Sequence, residues 1–275
     1  GNEAGRGIHT GGVLKKTQVD IVELAIGEYE TGLNIQLWKN YADEYGIEIT
    51  APSGAGSGQL RTYGAGSYLI DGTKVYVYYG EPTPYSRYQQ IYFELMPGSG
   101  YIAPGVWKIT LTPIRIVDGQ YDLWLPDSST LNEDTRFFFP VEETTLTVPS
   151  AADKVITVGA YNSRTDAYAD FSGRGYTRLR DNVKPDIVAP GVDIISTAVN
   201  GGYTMRSGTS MAVPFVSGSA ALMMQWGIVE GNDAYLYGEK IKAYLIKSAR
   251  HLPGEPVPSK RTGWGALCLD GIFVR

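Results

Sequence analysis

Apolar and polar positions divide the chain into two stretches of different character. Residues 19–147 read as strands separated by turn residues, with almost no helical period. Leu33-Asn34-Ile35-Gln36-Leu37-Trp38 alternates apolar and polar, the pattern of a strand with one buried face. Two Asp-Gly pairs lie between such runs: Asp71-Gly72 between residues 68–70 and 74–78, and Asp118-Gly119 between residues 114–117 and 121–124. Asp and Gly tolerate the positive φ that a two-residue hairpin demands, so both pairs predict tight hairpins. Further strands are predicted at 47–50, 90–95, 106–111 and 136–139, a recurrence that points to a β-sandwich or jelly roll. The Gly- and Ser-rich residues 51–67 read as an exposed loop.

After Pro149 the pattern changes. Residues 154–160 form an apolar run expected of a strand buried on both faces, and residues 211–225 are nearly all apolar and small, as a central buried helix requires. Over residues 234–252, Ile241, Leu245, Ala249 and Leu252 recur at helical spacing and leave Lys240, Lys242, Lys247 and Arg250 for water. The second stretch is therefore α/β, and the chain is expected to hold two domains.

Composition narrows the function. Of 275 residues 43% are hydrophobic, enough for a sizeable core, and the net charge of −5 comes with no dense Lys/Arg block. The electrostatic footprint of a nucleic-acid or anionic-membrane binder is missing. Residues 211–229 are the longest apolar stretch, but Pro214, Ser217, Ser219 and Gln225 interrupt it, so it reads as a helix of a soluble protein. The first residues lack the basic-then-apolar profile of a signal peptide. A single cysteine, Cys268, excludes an intrachain disulfide framework and a multi-cysteine zinc site, and two histidines, His9 and His251, argue against a His-rich metal centre. No cofactor is implied.

The segment Ser207-Gly208-Thr209-Ser210-Met211-Ala212-Val213-Pro214 sets a hydroxyl immediately before a long apolar helix. Backbone N–H groups at a helix start lack intrahelical partners and carry partial positive charge, which would stabilise an oxyanion formed beside Ser210. Pro214, read as lying in the first turn, costs such a helix no hydrogen bond. On these grounds alone Ser210 fits an ordinary N-cap as well as a nucleophile.

A wider set of residues bears on that choice. Lys184-Pro185-Asp186-Ile187-Val188-Ala189-Pro190-Gly191-Val192 followed by Ser207-Gly208-Thr209-Ser210-Met211-Ala212 closely resembles the subtilisin-like serine proteases. The resemblance implies that Ser210 is the nucleophile. The opening Gly1-Asn2-Glu3 resembles the family's Gly-Asn-Glu and implies that the Asn2 amide donates a hydrogen bond to the tetrahedral oxyanion. The implied fold is α/β, a partial subtilisin-like core interrupted by an inserted all-β sandwich (jelly roll). Its expected parts are residues 1–18 (core start with the oxyanion segment), 19–147 (the insert) and 148–275 (core with the nucleophile). A β-rich insert between the oxyanion asparagine and the serine motif looks like the arrangement of the clostridial Csp-type subtilases, the germination proteases of spores, and that likeness implies a spore-associated protein.

The family's aspartate and histidine motifs lie upstream of the oxyanion asparagine and are not in these 275 residues. A serine hydroxyl needs a base, and the base an orienting partner. The resemblance thus implies the C-terminal part of a serine endopeptidase acting on peptide or protein substrates, with the chain alone inactive; the alternative is a pseudoprotease or binding scaffold. His9 lacks the family's His-Gly-Thr context and reads as a loop histidine, whereas His251 is expected to end the 234–252 helix as a cap. No Ser-x-x-Lys surrounds Ser210, which leaves a lysine dyad without support. Phe215 stands where the family commonly has histidine and is expected to alter helix packing. The 20 tyrosines suit strands, and Asp166, Asp170, Asp181, Asp186 and Asp193 lack calcium-loop spacing and read as solvated turns. A partial core with an unpaired sheet edge at 154–160 predicts either pairing with the N-terminal part of the same protease or self-association.

Overall fold

The computed structural model describes residues 1–178, 182–270 and 272–273. It divides into two compact units, Arg6–Val141 and a second made of Gly1–Gly5 together with Glu142–Arg275. Sequence pattern put the β-rich segment at 19–147. The structural division falls earlier at both ends, because His9–Val13 is itself a strand paired along its length with residues 120–124.

In the β unit the strands are β1 His9–Val13, β2 Asp20–Ile26, β3 Leu33–Asn40, β4 Glu44–Thr50, β5 Gly56–Gln59, β6 Ala65–Ile70, β7 Thr73–Tyr79, β8 Tyr88–Pro97, β9 Gly105–Arg115, β10 Gln120–Trp124 and β11 Arg136–Phe137. They form a six-stranded sheet in the order β1-β10-β3-β8-β7-β6 and a five-stranded sheet in the order β11-β2-β9-β4-β5, with all pairings antiparallel. Alternation decides which side is buried. In β3 Leu33, Ile35 and Leu37 point inward, as do Val75, Val77 and Tyr79 in β7. These residues join Leu24, Ile47, Ile49, Trp107 and Ile109 of the other sheet in one core, so each sheet buries the apolar face of its partner.

The two Asp-Gly pairs behave differently. Asp71 (φ 50°) and Gly72 (φ 76°) both adopt positive φ and close the β6–β7 hairpin, as a two-residue turn of this type requires. Asp118-Gly119, expected to close a hairpin, instead carries the chain from β9 in one sheet to β10 in the other, and those strands do not pair. The cause is a distant side chain. The buried Asp43 carboxylate accepts the backbone N–H groups of Val117 (2.6 Å), Asp118 (3.0 Å) and Gly119 (2.8 Å) and fixes the turn in that form. Residues 51–67, expected to be a loop, contain β5 and the start of β6.

The second unit contains β12 Val158–Asn162, β13 Ala167–Tyr168, β14 Ile187–Pro190, β15 Ile194–Thr197, β16 Tyr203–Arg206, helix α1 Thr209–Met224 and helix α2 Gly238–Ser248, with a π-helical turn at Gln225–Val229. β12 and β14 run parallel, β13 pairs antiparallel with β12, and β15–β16 form a separate hairpin. The expected strand at 154–160 begins only at Val158. Its edge is partly closed, since Ala160 N donates to Ser172 Oγ (2.9 Å) and Ala169 N donates to Ala160 O (3.2 Å).

Helix α1 was expected to be buried. It buries only one stripe, Thr209, Ala212, Val216, Ser219 and Met223, and leaves Val213, Phe215, Leu222 and Met224 43–55% exposed. Thr209–Val229 is long and apolar enough to cross a membrane by length and composition, with 28% of that window buried. Helix α2 is shorter than expected and ends at Ser248, three residues before the exposed His251, which therefore caps nothing in it. Lys242, assigned to water, instead meets the buried Asp186 at 3.0 Å.

Candidate active site

The start of α1 brings together the two residues singled out by their motifs, 208 positions apart (210 − 2) in the sequence. Gly208 is the N-cap, with φ 153°, and Thr209 opens the helix; Ser210 is the second helical residue and not the cap. A side chain at Gly208 would meet Asn2 Nδ2 at 3.2 Å and Met211 Sδ at 3.4 Å, in a backbone conformation that L residues rarely adopt. Gly208 N also donates to Gly191 O (2.8 Å), which ties the helix start to the end of β14. A Cβ on Gly191 would come within 2.6 Å of the Ala160 Cβ, so this close approach of loop and strand requires glycine.

Asn2 caps the helix from a distance. Its Oδ1 accepts Thr209 N (2.9 Å) and Thr209 Oγ1 (3.0 Å), satisfying one of the N–H groups that a helix start leaves without intrahelical partners. Two donors on one atom also settle the orientation of the amide, because Nδ2 could not occupy that place. Nδ2 is thereby turned away from Thr209 and has no acceptor among the described residues. The Ser210 N–H is likewise unspent, whereas Met211 N donates to Gly208 O (3.0 Å). Ser210 itself is exposed, and no hydrogen bond of its hydroxyl is found among the described residues.

Pro214 lies deeper in the helix than its reading as a first-turn residue. It is the sixth helical position, so the N–H it lacks is the one that would bond the Ser210 carbonyl, and its ring crowds that carbonyl. The backbone around Ser210 is consequently short of helix bonds on both its N–H and its C=O.

Behind this element the Lys184-Pro185-Asp186 segment is structural. Lys184 is 1% exposed; its Nζ donates to Asp186 Oδ2 (2.9 Å), Thr157 Oγ1 (2.9 Å) and Val155 O (2.8 Å). Burial pushes the ammonium below the ordinary lysine value, against the pull of Asp186. Asp186 also takes Thr157 N (2.7 Å), which anchors the approach to β12.

The remaining candidates are placed elsewhere. His9 is buried in β1 and not in a loop: its Nδ1 faces Val141 O at 3.0 Å, its Nε2 faces Asp122 Oδ1 at 3.2 Å, and its ring stacks on Trp124. Asp166 pairs with Arg250 (2.7 Å), Asp193 with Arg164 (3.9 Å), and Asp181 lies outside the described residues. No group of three or more His, Cys, Asp or Glu is placed to hold a metal among the described residues. The motif contains Thr209, but its use, pinning the Asn2 amide, is not legible there because it depends on a residue 207 positions away.

A profile of the subtilase family matches residues 131–265, a span that contains β14, Gly191 and the start of α1. Residues 131–265 belong to the subtilase family. Among curated relatives, serine protease AprX of Bacillus subtilis is 42% identical over a match covering 30% of this chain and 23% of AprX. The PII-type proteinase of Lactococcus lactis subsp. cremoris is 46% identical over 30% of this chain and 4% of that protein. Among solved structures, the Clostridium perfringens CspB protease is 38% identical with a TM-score of 0.91, covering 98% of this chain and 56% of that one. The subtilase match includes Ser210 and leaves Asn2 outside it. The chain spans less than a quarter of these two curated relatives and just over half of the CspB chain.

Proposed function

We propose that the chain is the nucleophile-bearing part of a subtilisin-like serine endopeptidase that hydrolyses peptide or protein substrates. Ser210 Oγ attacks the scissile carbonyl, and the Ser210 N–H together with Asn2 Nδ2 holds the oxyanion that forms. The observation that carries this reading is the Asn2 amide: Thr209 occupies its Oδ1 twice and leaves Nδ2 as an uncommitted donor beside an exposed serine. An amide donates without titrating, as an oxyanion donor should.

The proton of Ser210 has no acceptor among the described residues. His9 directs both ring nitrogens at Val141 and Asp122, and His251 is exposed with no contact to Ser210 among the described residues. The base and its orienting acid therefore come from subtilase sequence outside these 275 residues, and the chain alone is inactive. That same sequence, the N-terminal part of the protease, covers the exposed apolar side of α1; without it the chain self-associates through that side. Pro214, the motif Gly208-Thr209-Ser210 and the buried stripe of α1 favour a core helix over a membrane span. The match to CspB favours a Csp-type, spore-associated enzyme.

The sheet orders support a jelly roll inserted into the core. With the β6–β7 hairpin and β11 set aside, eight strands alternate between sheets as β1-β10-β3-β8 and β2-β9-β4-β5, the double wrapping of that fold.

Fluorophosphonate labelling tests the assignment. The isolated chain should label no faster than its Ser210→Ala variant, and labelling at Ser210 should appear when the chain is joined to a subtilase segment carrying the aspartate and histidine. Robust labelling of the chain alone would refute the missing base. Absence of labelling in the joined protein would favour the alternative, a pseudoprotease that uses this scaffold for binding.

A further inference from the structure

One position in the β unit breaks its own pattern. In β3 the inward side runs Leu33, Ile35, Leu37 and then Lys39, so a lysine stands where a core hydrophobe is due. Lys39 is 4% exposed. It lines a cavity of about 260 Å³ at one end of both sheets, where β3, β7 and β9 finish and β4 and β8 begin.

The ammonium is incompletely satisfied there. Its Nζ donates to the carbonyls of Asp43 (2.5 Å) and Asn40 (3.3 Å), which takes two of its three protons and supplies no countercharge. No carboxylate oxygen among the described residues lies within ion-pair distance. Asp43 spends its carboxylate on three backbone N–H groups, and Glu44 is held by Arg115 at 2.6 Å. The ring of Tyr45, 5.5 Å from Nζ at its centroid, faces the ammonium and is no substitute for a carboxylate in contact. A buried charge without such a countercharge is costly, and burial accordingly lowers Lys39 to about 8 against the pull of Asp43 and Glu44. A second polar group in the same wall is also unsatisfied. The Tyr79 hydroxyl is buried without a hydrogen-bond partner among the described residues, and burial raises its pKa, so it stays protonated. Tyr41, Tyr45 and Ile114 supply apolar wall around these groups.

We propose that this cavity binds a small organic carboxylate, with Lys39 as its cationic anchor and the tyrosine and isoleucine walls around its apolar part. The carboxylate takes the third ammonium proton and provides the missing countercharge. A neutral polyol could accept the proton and would leave the charge uncompensated, so the geometry favours the anion.

Competitive acetylation of the full chain with trace acetic anhydride, read by mass spectrometry, tests this with propionate as the probe. An anion binds the protonated amine better, so propionate should raise the apparent pKa of Lys39 above about 8 and slow its acetylation several-fold, leaving the exposed Lys74 unchanged. Propionate should also raise the melting temperature of the wild type and of Lys39→Arg, and not that of Lys39→Met. If Lys39→Met does not fold, the wild-type labelling decides. Labelling of Lys39 that ignores propionate, or that glycerol or chloride slows equally, overturns the proposal.

Discussion

The β unit and the helix that carries Ser210 solve burial in opposite ways. In the β unit period-two alternation gives each strand one apolar side, the two sheets consume each other's apolar faces, and Trp107, Phe93 and Phe137 end fully buried. Helix α1 is apolar nearly all round, so no side of it is suited to water. Its own unit covers the stripe from Thr209 to Met223 and leaves Leu222 and Phe215 exposed. The comparison separates two kinds of sequence information: one region encodes a core that closes on itself, and the other encodes a helix that demands cover on a second side.

Several substitutions would sharpen or break this contrast. The largest effect is expected at Ser210. On the proposed function, Ser210→Ala in the chain joined to a subtilase segment carrying the aspartate and histidine should lower kcat on the order of 10⁶, the size of loss seen in subtilisin itself, while leaving the melting temperature of the chain nearly unchanged. Asn2→Ala should cost ~10²–10³ in kcat, again the loss known for the corresponding subtilisin amide. It should also remove the distal cap of α1, which circular dichroism of the helix would register.

Burial is tested by a matched pair. Trp107→Ala should destabilise the isolated chain by ~3–5 kcal/mol, whereas Leu222→Ala should change it by less than about 0.5 kcal/mol in urea melts. A large cost for Leu222→Ala in the isolated chain would mean that α1 is already covered, for instance by a second copy.

Lys39 gives a pH signature confined to the β unit. Its folded pKa of about 8 lies below the ordinary 10.5, so the unfolded chain binds more protons between these values and stability rises with pH through that window. Relative to Lys39→Met, the wild type should gain up to about 3 kcal/mol as pH climbs from 8 to 10.5. A constant difference across that range would contradict the unpaired ammonium. The smallest effect is expected from Thr209→Val, which removes one of two hydrogen bonds that orient the Asn2 amide. About 1 kcal/mol, or roughly a fivefold loss in kcat, is expected with KM unchanged.

Some features were legible residue by residue. The alternation in β3, the hairpin at Asp71-Gly72 and the helix that carries Ser210 in its first turn follow from local period and turn chemistry, and the motif around Ser210 pointed to the subtilases. The misreadings share a cause. Asp118-Gly119 has the composition of a hairpin, but Asp43 claims its N–H groups from more than 70 positions away. His9 reads as a loop residue until β1 pairs with β10, and Lys242 reads as solvated until α2 brings it to Asp186.

By itself the sequence determined the change from a strand-rich to an α/β stretch, the alternation of strands such as β3, the turn at Asp71-Gly72 and the hydroxyl at a helix start, because these depend on neighbours a few positions apart. Tertiary structure alone decided that Asn2 caps the helix of Ser210, that Asp43 steers the crossing between sheets, and that Lys39 lacks a countercharge. Each of these is a balance of hydrogen bonds and desolvation among groups distant in sequence, and no local pattern records which of them will meet.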